Sequence, residues 1–243
     1  MKKTIILILS LAVFLTFFGC SADNNTTETT NVPQTTSAVS TSEKKVKKEL
    51  KGIDVSSYSG DIDWKAVKKS GVQFAMIRIG GRGFAQSGAL YADKKAAYNI
   101  VNAQKNGIKT GVYFFSQAMN EYEAGEEADF VLKQLGNTKL DLPIAYDIEK
   151  LDETMTRIAN LSRKDAVKNS GVFSEKLKKA GYDTVVYIKK GKFMNAEDYS
   201  PREVWFADYT EPYDNPYYML QYSKEGKVDG ISGTVDLDIM YTE

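Results

Sequence analysis

From residue 51 onward the chain repeats one unit: a short β-branched or aromatic run, an amphipathic helical stretch, a glycine, and another such run. Eight strand candidates stand at 52–55, 74–79, 110–115, 142–148, 184–188, 203–207, 218–222 and 235–240. Between the early ones, apolar residues fall at helical spacing: Ala96, Ala97, Ile100 and Val101 within 93–106, Ala124, Ala128, Val131 and Leu135 within 121–135, and Ala166, Phe173 and Leu177 within 162–180. A shorter helix is predicted over 64–69, with Asp63 as its N-cap. Gly71, Gly107, Gly136 and Gly181 follow these helices, at the position where a left-handed residue ends a helix. Strand, helix, glycine, strand in repetition predicts an α/β fold with a parallel sheet. After the fifth strand the gaps leave room for only about a turn of helix, near 195–198. A modified TIM-like barrel of about five βα units plus three closing strands accounts for this spacing. The alternative is an open, doubly wound sheet, which would leave three late strands without crossover helices.

The N-terminal segment reads differently. Met1-Lys2-Lys3 precedes an apolar run from Thr4 to Phe18, shorter than the ~20 residues of a membrane span but suited to a signal peptide. It ends at Gly19-Cys20, and this lone cysteine after a small residue resembles a bacterial lipoprotein box. The expectation is residues 1–20 as signal peptide with lipidation at Cys20, 21–50 as a Ser/Thr- and Lys-rich flexible tether, and 51–243 as one folded domain. That places the protein outside the cytoplasm, anchored by lipid to the outer face of the bacterial membrane, or secreted if Cys20 is not used. A monomer is expected.

Composition narrows the chemistry. The chain has no histidine and one cysteine, which excludes Ser-His-Asp and Cys-His nucleophile systems, histidine zinc sites and an intrachain disulfide. Lys+Arg and Asp+Glu both total 32, so the basic footprint of a nucleic-acid binder is missing. No cofactor or metal is expected. Carboxylates remain as the agents of any reaction.

In a βα barrel the reacting groups sit at the C-terminal ends of strands. Polar residues interrupt the apolar pattern at those ends: Asp54, Arg78, Tyr113 and Ser116, Asp147 and Glu149, Asp208, Gln221, then Asp236 and Asp238. Within Leu142-Pro-Ile-Ala-Tyr-Asp-Ile-Glu149, alternation puts Asp147 and Glu149 on one face with Ala145, and Tyr146 and Ile148 on the other. Two carboxyls that close at an apolar mouth cannot both ionise freely, so one keeps a proton near neutral pH. A retained proton is what glycosidic cleavage needs at the leaving oxygen. Taken singly, each residue has a plainer reading: an edge strand for Asp-x-Glu, a turn cap for Asp54, an ion-pair partner for Arg78, and caps of the last strand for Asp236 and Asp238.

Several segments in order resemble the family 25 glycoside hydrolases, secreted lysozymes. They are Gly52-Ile-Asp-Val-Ser56, Gly60-Asp-Ile-Asp-Trp64, Phe74-Ala-Met-Ile-Arg78, Gly81-Arg-Gly83, Gly111-Val-Tyr-Phe-Phe115, Tyr146-Asp-Ile-Glu149, Trp205-Phe-Ala207, Gln221-Tyr-Ser223 and Gly230-Ile-Ser-Gly-Thr-Val-Asp-Leu-Asp238. The resemblance implies cleavage of the β-1,4 bond between N-acetylmuramic acid and N-acetylglucosamine, with peptidoglycan glycan strands as the partner. It implies Glu149 as general acid/base, Asp147 as its partner that orients the acetamido group or stabilises charge, and Asp54 and Asp236 as further active-site acids. Arg78, Tyr113, Asp208 and Gln221 are the candidate substrate-binding residues. Phe114 stands where many members carry a histidine. That departure and the tether motivate an alternative, a non-catalytic wall-polymer-binding lipoprotein that retains the groove. An N-acetylhexosaminidase acting on another polysaccharide is a third reading.

Overall fold

The computed structural model describes residues 48–84, 87–150, 157–210 and 216–242. The expected signal peptide, Cys20 and nearly all of the tether lie outside the described residues. Among the described residues no helix is long and apolar enough to cross a membrane.

In chain order the elements are β1 (Lys48–Val55), α1 (Trp64–Lys69), β2 (Phe74–Arg82), β3 (Leu90–Ala92), α2 (Ala96–Lys105), β4 (Lys109–Ser116), α3 (Glu121–Leu135), β5 (Ile144–Ile148), α4 (Arg163–Lys179), β6 (Thr184–Lys189), β7 (Val204–Ala207), β8 (Met219–Gly226) and β9 (Val235–Thr242). Short 3-10 turns follow β1 at Ser57–Ser59 and precede β7 at Ala196–Asp198 and Pro201–Glu203. The helix starts carry the expected chemistry. Asp63 accepts from the backbone N–H of Lys65 and Ala66, and Ser162 accepts from that of Asp165. The glycines after α1 to α4 all have positive φ, 54° to 95°.

The strands run β1-β9-β8-β7-β6-β5-β4-β2, and β2 pairs with β1 to close the ring. The open-sheet alternative is thereby excluded: eight strands form a barrel with no free edge. Every pair is parallel except those of β9, which runs against both β8 and β1. β3 is an addition, a short strand folded back antiparallel on the end of β2. Of the five βα units, the fifth has 3-10 turns in place of a helix, because the stretch after β6 is too short for one.

Alternation along the strands makes two apolar layers. Leu50, Phe74, Met76, Ala145, Trp205 and Met219 pack together inside the barrel. Ile53, Ile77, Phe114 and Tyr146 face outward and pack with Val131 of α3 and Phe173 of α4. The interior plug is apolar at the lower levels, and its upper level is where the acids begin.

Candidate active site

Register brings the acids together. In the antiparallel β1–β9 pair Asp54 lies opposite Asp236, and Gly52 opposite Asp238. On the other side of β9, Asp238 lies opposite Gln221 of β8. Asp147 on β5 pairs with Phe115 of β4 and Tyr187 of β6. Because β5 is paired on both sides, the edge-strand reading of Asp147 and Glu149 does not hold.

Asp54, Asp147 and Asp238 are 8%, 8% and 0% exposed. Gln221 clamps the first of them: its Nε2 donates to Asp54 Oδ2 at 2.7 Å, while its Oε1 accepts from Tyr187 at 2.9 Å and Tyr209 at 2.6 Å. The two hydroxyls hold the amide oxygen and so force the amide nitrogen toward the carboxylate. Trp205 Nε1 donates to Asp238 Oδ1 at 2.9 Å. Across the β1–β9 pair Asp54 thus has Asp236 directly opposite and Asp238 as its diagonal neighbour, three carboxyls on one inward face.

All five carboxyls bind protons more tightly than an exposed acid. Burial is the largest cause for each. Asp54 is pushed up further by Asp238, Asp236 and Asp147, and Asp147 by Glu149. On Glu149, burial and Asp236 raise the proton affinity, opposed by Lys189 and Lys192. Lys189 Nζ stands 4.0 Å from Glu149 Oε2 and 5.8 Å from the centre of the Tyr209 ring. The backbone of Glu149 is held too: Gln117 Nε2 donates to its carbonyl oxygen at 3.0 Å.

A cleft of about 360 Å³ opens over these groups, walled by Asp54, Ser56, Tyr58, Arg78, Tyr113 and Asp236 among others. Asp147 and Glu149 lie beside it, within electrostatic reach of Asp54 and Asp236. Larger hollows, about 660 Å³ beside Trp64 and Tyr98 and about 610 Å³ along α4, gather no comparable set of buried acids. The buried acids therefore gather at the smaller cleft. Among the described residues no group of three or more acidic, cysteine or histidine side chains is arranged to hold a metal ion.

The sequence-derived residues divide three ways. Asp54, Tyr113, Asp147, Glu149, Gln221 and Asp236 converge on the cleft. Arg78 borders it but is engaged, donating to Asp93 Oδ2 from Nε at 2.9 Å and from Nη2 at 2.7 Å, with its guanidinium 4.9 Å from the Tyr58 ring. Asp208 is held apart in the loop after β7, where it takes Lys190 Nζ at 2.6 Å and the Thr210 hydroxyl at 2.6 Å. Sequence reasoning assigned no role to Lys189, Tyr187 or Trp205. Tyr187 and Lys189 share an inward face of β6, a signal that alternation carried. Phe114, by contrast, is fully buried on the outer face of β4, 6.0 Å from the Phe130 ring. It does not touch the cleft, so its departure from the family pattern leaves the site unchanged.

Comparison with known proteins places the chain among its relatives. The chain is 30% identical over 195 residues to the autolytic lysozyme of Clostridium acetobutylicum, covering 78% of this chain and 55% of that protein. Among solved structures it is similar to the modular autolysin LytC of Streptococcus pneumoniae, at 30% identity and TM-score 0.68, over 79% of this chain and 47% of that one. A family 25 glycosyl hydrolase from Bacillus anthracis aligns with TM-score 0.65 and 27% identity over 80% of this chain and 89% of that one. The chain thus spans about half the length of the first two proteins. The profile of glycosyl hydrolases family 25 matches residues 53–231, most of the chain and the barrel from the end of β1 through β8, and the chain belongs to that family.

Proposed function

We propose that this chain is a peptidoglycan hydrolase of the muramidase type, cleaving the β-1,4 bond between N-acetylmuramic acid and N-acetylglucosamine with Glu149 as general acid/base. The observation that carries the proposal is the pair Asp147, buried at the end of β5, and Glu149, half-buried just beyond it, within electrostatic reach of Asp54 and Asp236 at one cleft. Glu149, whose proton affinity burial raises, donates a proton to the glycosidic oxygen as the bond to the anomeric carbon breaks. Asp147, Asp54 and Asp236 supply negative charge where positive charge develops on the sugar ring. Water completes the exchange, and Glu149 regains its proton. Two relatives support this substrate: one is named an autolytic lysozyme, and LytC has been solved with a synthetic peptidoglycan ligand.

The location follows the same reading. Lipidation at Cys20 and the tether over 21–50 hold the barrel at the outer face of the membrane, against the wall it cuts. Cys20→Ala should release the protein from the membrane fraction and abolish incorporation of a labelled fatty acid; unchanged retention and labelling would exclude the anchor.

Activity is tested by digesting purified peptidoglycan with the full-length protein and reading the new reducing ends by mass spectrometry. N-acetylmuramic acid ends are expected. N-acetylglucosamine ends, or binding to the wall without release, would overturn the assignment. Glu149→Gln should lower the rate about 100-fold or more while leaving wall binding intact.

A further inference from the structure

The deepest group in the site has no part in the reaction as written above. Asp238 lies fully buried beneath the cleft. Its Oδ1 accepts from Trp205, yet among the described residues no amide, hydroxyl or cationic donor reaches its Oδ2. The side chain is instead the diagonal neighbour of Asp54 across the β1–β9 pair, both facing inward, and Asp54 is itself fixed from the other side by Gln221. The groups acting on this pair are Asp236 on β9, Gln221 on β8, Trp205 on β7, Tyr113 on β4 and Asp147 on β5. The cations that face this part of the cleft are Arg78 on β2, engaged by Asp93, and Lys224 on β8, and Lys189 and Lys224 act on Asp236.

Two neighbouring carboxylates out of water, neither in an ion pair among the described residues, repel each other and lose hydration together, and a buried unpaired anion is among the costliest arrangements a fold can hold. A single proton between the two oxygens removes one charge and turns the repulsion into a hydrogen bond. We propose that Asp54 and Asp238 hold one proton between them, and that Asp238 is a positioning residue fixing Asp54 in the cleft with a single negative charge for the pair. The proton belongs to the pair rather than to either residue. Trp205 and Gln221 brace its two ends, so the Asp54 carboxyl cannot rotate away from Asp236. In functional terms the inference rests on the muramidase reading, because it assigns Asp238 to the support of that reaction.

The decisive substitution is Asp238→Asn, which keeps the shape, the acceptor for Trp205 and a donor for Asp54 without an ionisable group. Infrared difference spectra of the full-length protein at pH 7, unsubstituted minus Asp238→Asn, should contain a protonated-carboxyl band. No such difference overturns the proposal. Carboxyl-13C resonances of aspartate in the unsubstituted protein report the same proton without any variant; two fully ionised carboxylates at residues 54 and 238 would overturn it. On peptidoglycan, Asp238→Asn should stay within about threefold of the parent kcat/KM with an unshifted acid limb of the pH profile. Asp238→Leu, similar in size but without a donor, should fold and lose tenfold or more in kcat. Equal damage in both folded variants, or full activity in Asp238→Leu, would overturn the positioning role. If the parent protein fails to cleave peptidoglycan, the functional reading falls, while the infrared and 13C measurements still decide where the proton sits.

Discussion

Lys189 sets the pH range in which Glu149 can act. Burial raises the proton affinity of Glu149, and Lys189, 4.0 Å away, draws it partly back. The same ammonium lowers Asp147 and Asp236. Lys189→Met removes that cation, so all three acids should hold protons to higher pH. A general acid works below its own pKa, so the descending limb of kcat/KM against pH should move upward, and the ascending limb with it. A profile that stays in place or moves toward acid would exclude this role. Much of the residue scale was legible in advance: alternation alone put Asp147 with Glu149, and Asp236 with Asp238, on shared faces. Depth was not legible. Nothing in the order of residues distinguishes Asp238, sealed under Trp205, from Asp236 at the cleft wall, since both face inward and only the ring of neighbouring strands sets their level.

Outside the barrel, β2, α3, β4 and β5 are joined by a buried polar knot. Arg82 Nε donates to Glu127 Oε1 at 2.9 Å, and its other nitrogens reach the carbonyls of Gly88 and Glu123. Ser116 donates to Glu127 Oε2 at 2.6 Å, and its Oγ lies 2.8 Å from the Tyr146 hydroxyl, which donates to it in turn. The knot thus grips the outer face of β5 one residue before Asp147. Glu127, fully buried, has its pKa raised to about 7 by burial, against the pull of Ser116 and Arg82. Removing Arg82 leaves that carboxyl without its counter-charge, so Arg82→Met should cost about 3–5 kcal/mol in urea unfolding, more at pH 8 than at pH 5. A loss below about 1 kcal/mol would mean that the pair contributes little. Gly111 marks another close approach: a Cβ there would stand 2.7 Å from the Pro143 carbonyl and 2.6 Å from the Met76 sulfur. Gly111→Ala should therefore push β4 from β5 and destabilise by about 1–3 kcal/mol. At this scale the helices and the eight barrel strands were legible because their apolar periods are long enough to count. β3 was not, since Leu90-Tyr91-Ala92 is too short to show alternation. The far end of β8 was missed for a different reason: Ser223, Lys224 and Glu225 face water and leave no apolar pattern.

For the whole molecule, the acid cluster is a standing cost to stability. Asp54, Asp147, Glu149, Asp236 and Asp238 all bind protons more tightly folded than unfolded. A group with a raised folded pKa contributes fully below its unfolded value, and that contribution fades as pH climbs through the folded value. Glu127 acts in the same direction, between its ordinary 4.5 and about 7. Asp93 works the other way. Although partial burial raises it, hydrogen bonds from Ser57, Lys95 and Arg78 bring it below its ordinary value, so its contribution is lost in stronger acid. Thermal stability should therefore peak in mild acid and decline toward pH 8, with a shift of about 2–4 °C for each kcal/mol in a domain of this size. Glu149→Gln removes one of the groups that resists ionisation, so it should melt above the parent protein, by more at pH 8 than at pH 5, while losing activity. Melting curves followed by circular dichroism across that range test both statements together. A melting point that rises steadily from pH 5 to 8, or a Glu149→Gln protein less stable than its parent at pH 8, would mean that the acids are not crowded as described. The expected pattern is that of a site kept for its chemistry against the interest of the fold.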